Sequence, residues 1–205
     1  MLHKSKFENN FIVIFLYFLI SSNIVLGNEI NIGSLMPNMD YDLNDISGRK
    51  LTLSQIKGKK GTLVIFSSNT CPWVIRWEDR YVSITDSYSS KGIGVIAVNS
   101  NALRFDDRES LDKMERHAKD KNYNFPYAQD PGAKLATAFG ATKTPHIFLF
   151  DDNDKLVYRG AIDDNARDAA DVEEAFLEIA LDQLLDGEKI KKPTSKAIGC
   201  SIKFP

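Results

Sequence analysis

Cys71 stands where an apolar run, Thr62 to Phe66, passes through Ser67-Ser68-Asn69-Thr70 into an amphipathic stretch opening at Pro72. A thiol at the start of a helix lies in the partial positive charge of the helix N-terminus, which favours thiolate over thiol. Pro72 suits the first helical position, where a missing N–H costs nothing. The pattern predicts a nucleophilic sulfur at the mouth of a strand–turn–helix; a buried structural cysteine is the alternative. A thiolate that reduces a peroxide becomes a sulfenic acid, with which a second thiol can condense. Cys200 is the only other cysteine after the N-terminal region, so it is the candidate resolving residue. A structural disulfide with Cys71, or a free buried thiol, are its alternatives.

Composition narrows the classes. At 205 residues the chain makes one domain with trimmings, and its formal net charge of −2 provides no basic surplus to neutralise phosphates. No nucleic-acid partner is expected. Lys57 to Lys60 and Lys189 to Lys192 read as solvated loops. Two cysteines without a His/Cys cluster do not make a zinc site, so neither a metal nor another cofactor is expected.

The N-terminus reads as a leader. Lys4 and Lys6 precede the apolar run Phe11 to Ile20, and Val25-Leu26-Gly27 offers small residues for cleavage. The run is short for a spanning helix, which needs about 20 residues, though an uncleaved anchor is the alternative. Residues 1–27 are therefore expected to be a signal peptide and residues 28–205 the domain. The mature protein is expected to be exported, periplasmic or extracellular, without stable membrane association. Outside the cytoplasm two cysteines can pair.

The elements that must position Cys71 follow from periodicity. Tyr41 to Leu43 and Lys50 to Leu53 predict a hairpin around a polar turn ending in Gly48. Thr62 to Phe66 and Ile93 to Val98 read as strands buried on both faces. Between them Trp77, Tyr81, Ile84 and Tyr88 recur at helical spacing, which makes a right-handed βαβ unit. Asp106 or Asp107 is expected to cap a second helix facing inward with Leu111, Met114 and Ala118. Pro126 to Asp130 is an extended piece, and Pro131 to Phe139 a short helix ended by Gly140. His146 to Phe150 and Leu156 to Tyr158 are strands joined by an Asp/Asn turn. A last helix opens with Asp171, Glu173 and Glu174, faces inward with Val172, Phe176, Ile179 and Leu184, and ends at Gly187. The tail from Glu188 is loop-like, with Gly199-Cys200-Ser201-Ile202 as a docking segment. The order predicts an α/β fold with a mixed central sheet and helices on both faces.

That order, with Cys71-Pro72-Trp73-Val74 at the first helix and Thr144-Pro145 before a core strand, resembles the thioredoxin-like three-layer sandwich. Ile96 to Asn101, Thr144 to Asp151 and Tyr158 to Asn165 narrow the likeness to the redoxin branch, the alkyl hydroperoxide reductase and thiol-specific antioxidant family. The resemblance implies a thiol oxidoreductase acting through Cys71 on a peroxide or disulfide substrate, regenerated by an external thiol reductant. It also implies a cis Thr144–Pro145 bond in a loop facing the sulfur, whose backbone can bind substrate. Where many relatives carry a second cysteine this chain has Ser68, so no dithiol forms within the motif. Ser68-x-x-Cys71 is instead similar to the Ser/Thr-x-x-Cys of peroxiredoxins, whose hydroxyl helps hold the peroxide, although Val64 replaces the proline that opens that motif. Peroxide reduction is therefore the first expectation and thiol–disulfide exchange the second. A non-catalytic scaffold with a Cys71–Cys200 bridge is the rival from another class.

The remaining polar residues read as follows. Trp73 is a candidate lining of the substrate pocket, and Trp77 packs. His146 follows Pro145 but, by pleat alternation, faces away from the sulfur. Arg76 and Arg80 read as cations on a solvated helix face, with thiolate stabilisation as the alternative. Asp163-Asp164-Asn165 is a turn-and-cap cluster or a functional site. Glu78 and Asp79 have no partner evident in the sequence.

Overall fold

The computed structural model describes residues 28–205, so the expected signal peptide lies outside the described residues. Two runs anchor the architecture. β3 (Gly61–Ser67) and β4 (Ile93–Asn99) pair in parallel, and α2 (Pro72–Tyr88) crosses between them. Their alternate side chains serve two different cores. Leu63, Ile65, Val95 and Ala97 meet α2, whereas Val64, Phe66, Ile96 and Val98 meet the opposite layer. A strand buried on both faces must be apolar throughout, which is why these runs show no alternation in sequence.

Five further strands complete the main sheet: β1 (Leu43–Asp45), β2 (Lys50–Leu51), β5 (Tyr127–Gln129), β7 (His146–Asp151) and β8 (Leu156–Gly160). The order is β2-β1-β5-β4-β3-β7-β8, with β5 parallel to β4 and β7 antiparallel to β3. The sheet is mixed, as expected. α2, α3 (Leu111–Asp120) and α5 (Phe176–Leu185) cover one face; α1 (Leu53–Ile56) and α4 (Lys134–Phe139) cover the other. α2 buries Trp77, Tyr81, Ile84 and Tyr88, the helical series read from sequence. Each large apolar side chain so buried stabilises the fold by about 1.5–3 kcal/mol.

Several local expectations change. The hairpin exists, but Leu53 opens α1 rather than closing a strand, because Thr52 and Gln55 form a reciprocal capping box. Ser110, not Asp106 or Asp107, precedes α3; of the expected inner face, Met114 and Ala118 are buried and Leu111 only partly so. Pro131 to Ala133 is a tight turn with Gly132 and Ala133 left-handed, and α4 begins only at Lys134. α5 starts at Phe176 and buries Leu177, Ala180 and Leu181, leaving Ile179 45% exposed. Asp171, Glu173 and Glu174 precede it, and Glu178 is the acidic residue of its first turn. The series 177, 180, 181 is as regular as the one read from sequence, and docking chooses between them.

The tail is not loose. β9 (Cys200–Ser201) pairs antiparallel with β6 (Lys143–Thr144) in a separate two-stranded sheet, with Thr144 opposite Cys200. Ile202 is buried, its N–H bonded to the Thr142 carbonyl, and Lys203 is tied through its backbone to Asn101 and Leu103. No helix among the described residues is long and apolar enough to cross a membrane.

Candidate active site

Cys71 is the N-cap of α2. Its backbone is extended, and Pro72 occupies the first turn. The cysteine is 3% exposed, and its thiol donates to the Thr144 carbonyl at 3.0 Å. The Thr144–Pro145 bond is cis. β6 thus brings the carbonyl to the first sulfur and, through its pairing with β9, brings Cys200 to the same place. Both thiols are free, and Cys71 and Cys200 line the same cavity. Burial first, and then the neighbouring Cys71 sulfur, push the Cys200 thiol up to about 11. The Trp73 backbone N–H and the Lys203 ammonium pull the other way, more weakly.

The loop before Cys71 is held by a residue the sequence did not single out. Glu109 is fully buried. Its carboxylate accepts from the Ser68 hydroxyl at 2.5 Å, the Asn69 N–H at 2.9 Å, the Thr70 hydroxyl at 2.7 Å and the Asn99 side-chain amide at 2.7 Å. A buried carboxylate is tolerated when its lone pairs are filled in this way. Nothing marks Glu109 in the polar stretch Asp106 to Ser110. The signal available was Asn99-Ser100-Asn101, polar residues immediately after a buried strand.

These groups surround a cavity of about 180 Å³ lined by Ser68, Cys71, Glu109, Thr144 and Cys200, with Arg104, Arg108 and Lys203 at its rim. Four of the sequence-predicted residues, Cys71, Cys200, Ser68 and Thr144, therefore meet; Pro145 is buried directly behind Thr144. Ser68 faces the carboxylate with its proton. Trp73 is placed differently: its half-buried ring lines a neighbouring cleft of about 540 Å³ against the 161–167 loop and Phe176, and the Arg76 guanidinium sits 5.4 Å above it.

The other polar readings resolve. His146 is buried on the face opposite α2, its ring 4.5 Å from Phe148, and does not reach Cys71. Arg80 is not solvated. It is buried, and its Nε lies 3.2 Å from Asp163, which also accepts from Trp77 Nε1 at 2.6 Å. The Asp163 cluster thus ties the loop after β8 to α2. Glu78 also has partners: buried, it meets His117 Nε2 at 2.7 Å and the Lys121 ammonium at 2.7 Å. Burial would raise its carboxyl, but these two partners outweigh burial and hold it below the usual range.

The Redoxin family model matches residues 31–176. The chain is 27% identical over 135 residues to the thiol-disulfide oxidoreductase ResA of Bacillus subtilis, covering 65% of this chain and 70% of that protein. Among solved structures it is similar to a hypothetical protein of Sinorhizobium meliloti, at 34% identity and TM-score 0.79, covering 87% of this chain and 97% of that one. It is also similar to an uncharacterized conserved protein of Geobacillus kaustophilus, at 31% identity and TM-score 0.80, covering 87% and 94%.

Proposed function

The chain belongs to the redoxin family, and from that premise we propose a thiol oxidoreductase in which Cys71 is the nucleophile and Cys200 the resolving thiol. The observation that carries this reading is the meeting of two free thiols in one cavity at the N-terminus of α2, Cys71 bonded to the Thr144 carbonyl and Cys200 paired opposite Thr144. A dithiol absent from the local motif is assembled from two distant segments.

The substrate class the geometry supports best is a disulfide. The Cys71 thiolate attacks one sulfur of R–S–S–R, forming Cys71–S–S–R and releasing RS⁻. The Cys200 thiolate then attacks the Cys71 sulfur, closing the Cys71–Cys200 disulfide and releasing the second RS⁻. Two electrons pass to the substrate, and the two protons lost by the cysteines end on the released thiols or in solvent. Timing follows from the site. Two of the causes that raise Cys200 come from Cys71 itself. Once Cys71 is in a mixed disulfide its charge is gone, while the Trp73 N–H and Lys203 remain to favour the Cys200 thiolate. An external thiol reductant reopens the bridge.

Peroxide reduction, the first expectation from sequence, shares the Cys71 step. It is less well supported, because the Ser68 hydroxyl donates to Glu109 and is not aimed at a bound peroxide. ResA, named as a thiol-disulfide oxidoreductase, points the same way.

The test uses a small disulfide and mass spectrometry. Cys200→Ser should accumulate a mixed disulfide on Cys71, wild type should pass to the intramolecular bridge, and Cys71→Ser should do neither. If Cys71→Ser retains turnover, or wild type never forms the bridge, the reading fails. Export is part of the proposal and rests on the leader-like residues 1–27; an intact Met1 on protein recovered from outside the cytoplasm would contradict cleavage.

A further inference from the structure

The charge around the thiol cavity is one-sided. Arg104, Arg108 and Lys203 line it. Arg104 and Lys203 have no carboxylate within ion-pair distance among the described residues, and Arg108 has only its neighbour Asp107 at 3.7 Å. Glu109 is the one carboxylate among the described residues that lines the cavity, and its oxygens are taken by Ser68, Asn69, Thr70 and Asn99. Unpaired cations beside a small concave site raise the local concentration of anions and stabilise negative charge brought there. The cavity, about 180 Å³, is below the roughly 300–1,000 Å³ of sites for drug-sized ligands, so it suits a small molecule.

We propose that the site selects small disulfides, and the thiols derived from them, that carry a carboxylate beside the sulfur. The inference rests on the disulfide-exchange reading above and adds the substrate's charge. The carboxylate meets Arg104, Arg108 and Lys203 while the near sulfur is presented to Cys71. The bonds made and broken are those already given, with RS⁻ a carboxylate-bearing thiolate.

The test compares three disulfides of similar size with the reduced full chain: dithiodipropionate, which is anionic, hydroxyethyl disulfide, which is neutral, and cystamine, which is cationic. The rate of Cys71–Cys200 bridge formation with each is divided by the rate of the same disulfide with dithiothreitol, which removes intrinsic reactivity. At low salt the normalised rate for dithiodipropionate should exceed that for cystamine by about tenfold or more. The preference should shrink as salt is added. It should fall severalfold in the double variant Arg104→Ala, Arg108→Ala, which leaves Lys203 beside Cys200, while the hydroxyethyl disulfide rate holds. Should that variant not fold, the salt series on wild type carries the same test. Brisk bridge formation with all three reagents and no charge preference would overturn the substrate inference alone. Failure of all three to form the bridge would overturn the disulfide-exchange reading, and the inference with it.

Discussion

The Thr144 carbonyl oxygen accepts the Cys71 thiol at 3.0 Å, and the same oxygen lies 2.1 Å from where a side chain on Gly199 would begin. One backbone atom therefore limits how closely the Cys200 segment approaches while it positions the other sulfur. β9 reaches β6 because residue 199 has no Cβ.

Gly199→Ala should push the tail off β6. Cys200 should alkylate faster than in wild type, and bridge closure should slow after the first attack on Cys71. Timed alkylation read by mass spectrometry checks both. An unchanged Cys200 rate would show that the close approach is not needed.

Removing Glu109 should unfasten the loop before Cys71. Glu109→Ala leaves the buried Ser68 hydroxyl and Asn99 amide without their acceptor, and also strips the half-buried Asn69 N–H and the exposed Thr70 hydroxyl of theirs. Each unsatisfied buried group costs about 1–3 kcal/mol, so denaturant unfolding should register a loss of at least that size. Glu109→Gln, which keeps the shape and one acceptor oxygen, should lose less.

Arg80 and Asp163 should behave as a unit. Breaking a buried pair by removing one partner costs about 3–5 kcal/mol, because a charge is left uncompensated. Asp163→Ala also strips Trp77 Nε1 of its acceptor. Arg80→Met combined with Asp163→Asn should be less destabilised than the sum of the single variants. A double-mutant cycle in urea measures the coupling; additivity would deny it.

His146 should make the fold acid-sensitive. Burial, with the nearby Lys143 ammonium adding to it, depresses its imidazole from 6.5 to about 4. Glu29, 3.8 Å from Nε2, is too far to hydrogen-bond and half exposed, and does not offset burial. The folded state thus refuses a proton that the unfolded chain accepts. The stabilisation is present above about 6.5 and is lost as pH falls toward about 4. His146→Phe should flatten the unfolding free energy across that window relative to wild type.

Local pattern carried the order of elements. The two-sided strands β3 and β4 had to be apolar throughout, the α2 series had to recur at helical spacing, and Pro72 had to follow Cys71 at a helix start, so each left a mark within a few residues. Those marks placed Cys71 at its junction, and they put His146 on the far face by alternation alone. What tertiary structure decided was every pairing between segments distant in the chain. Cys200 became the partner of Cys71 only because β9 lies on β6. Arg80 read as a solvated cation, Glu78 showed no partner and nothing marked Glu109, since a buried ionised side chain has the same letter as a solvated one; the partners that make its burial tolerable lie on other elements. The inner face of α5 was read as Val172, Phe176, Ile179 and Leu184, but a second apolar series shared the helix, and only docking against the sheet chose Leu177, Ala180 and Leu181.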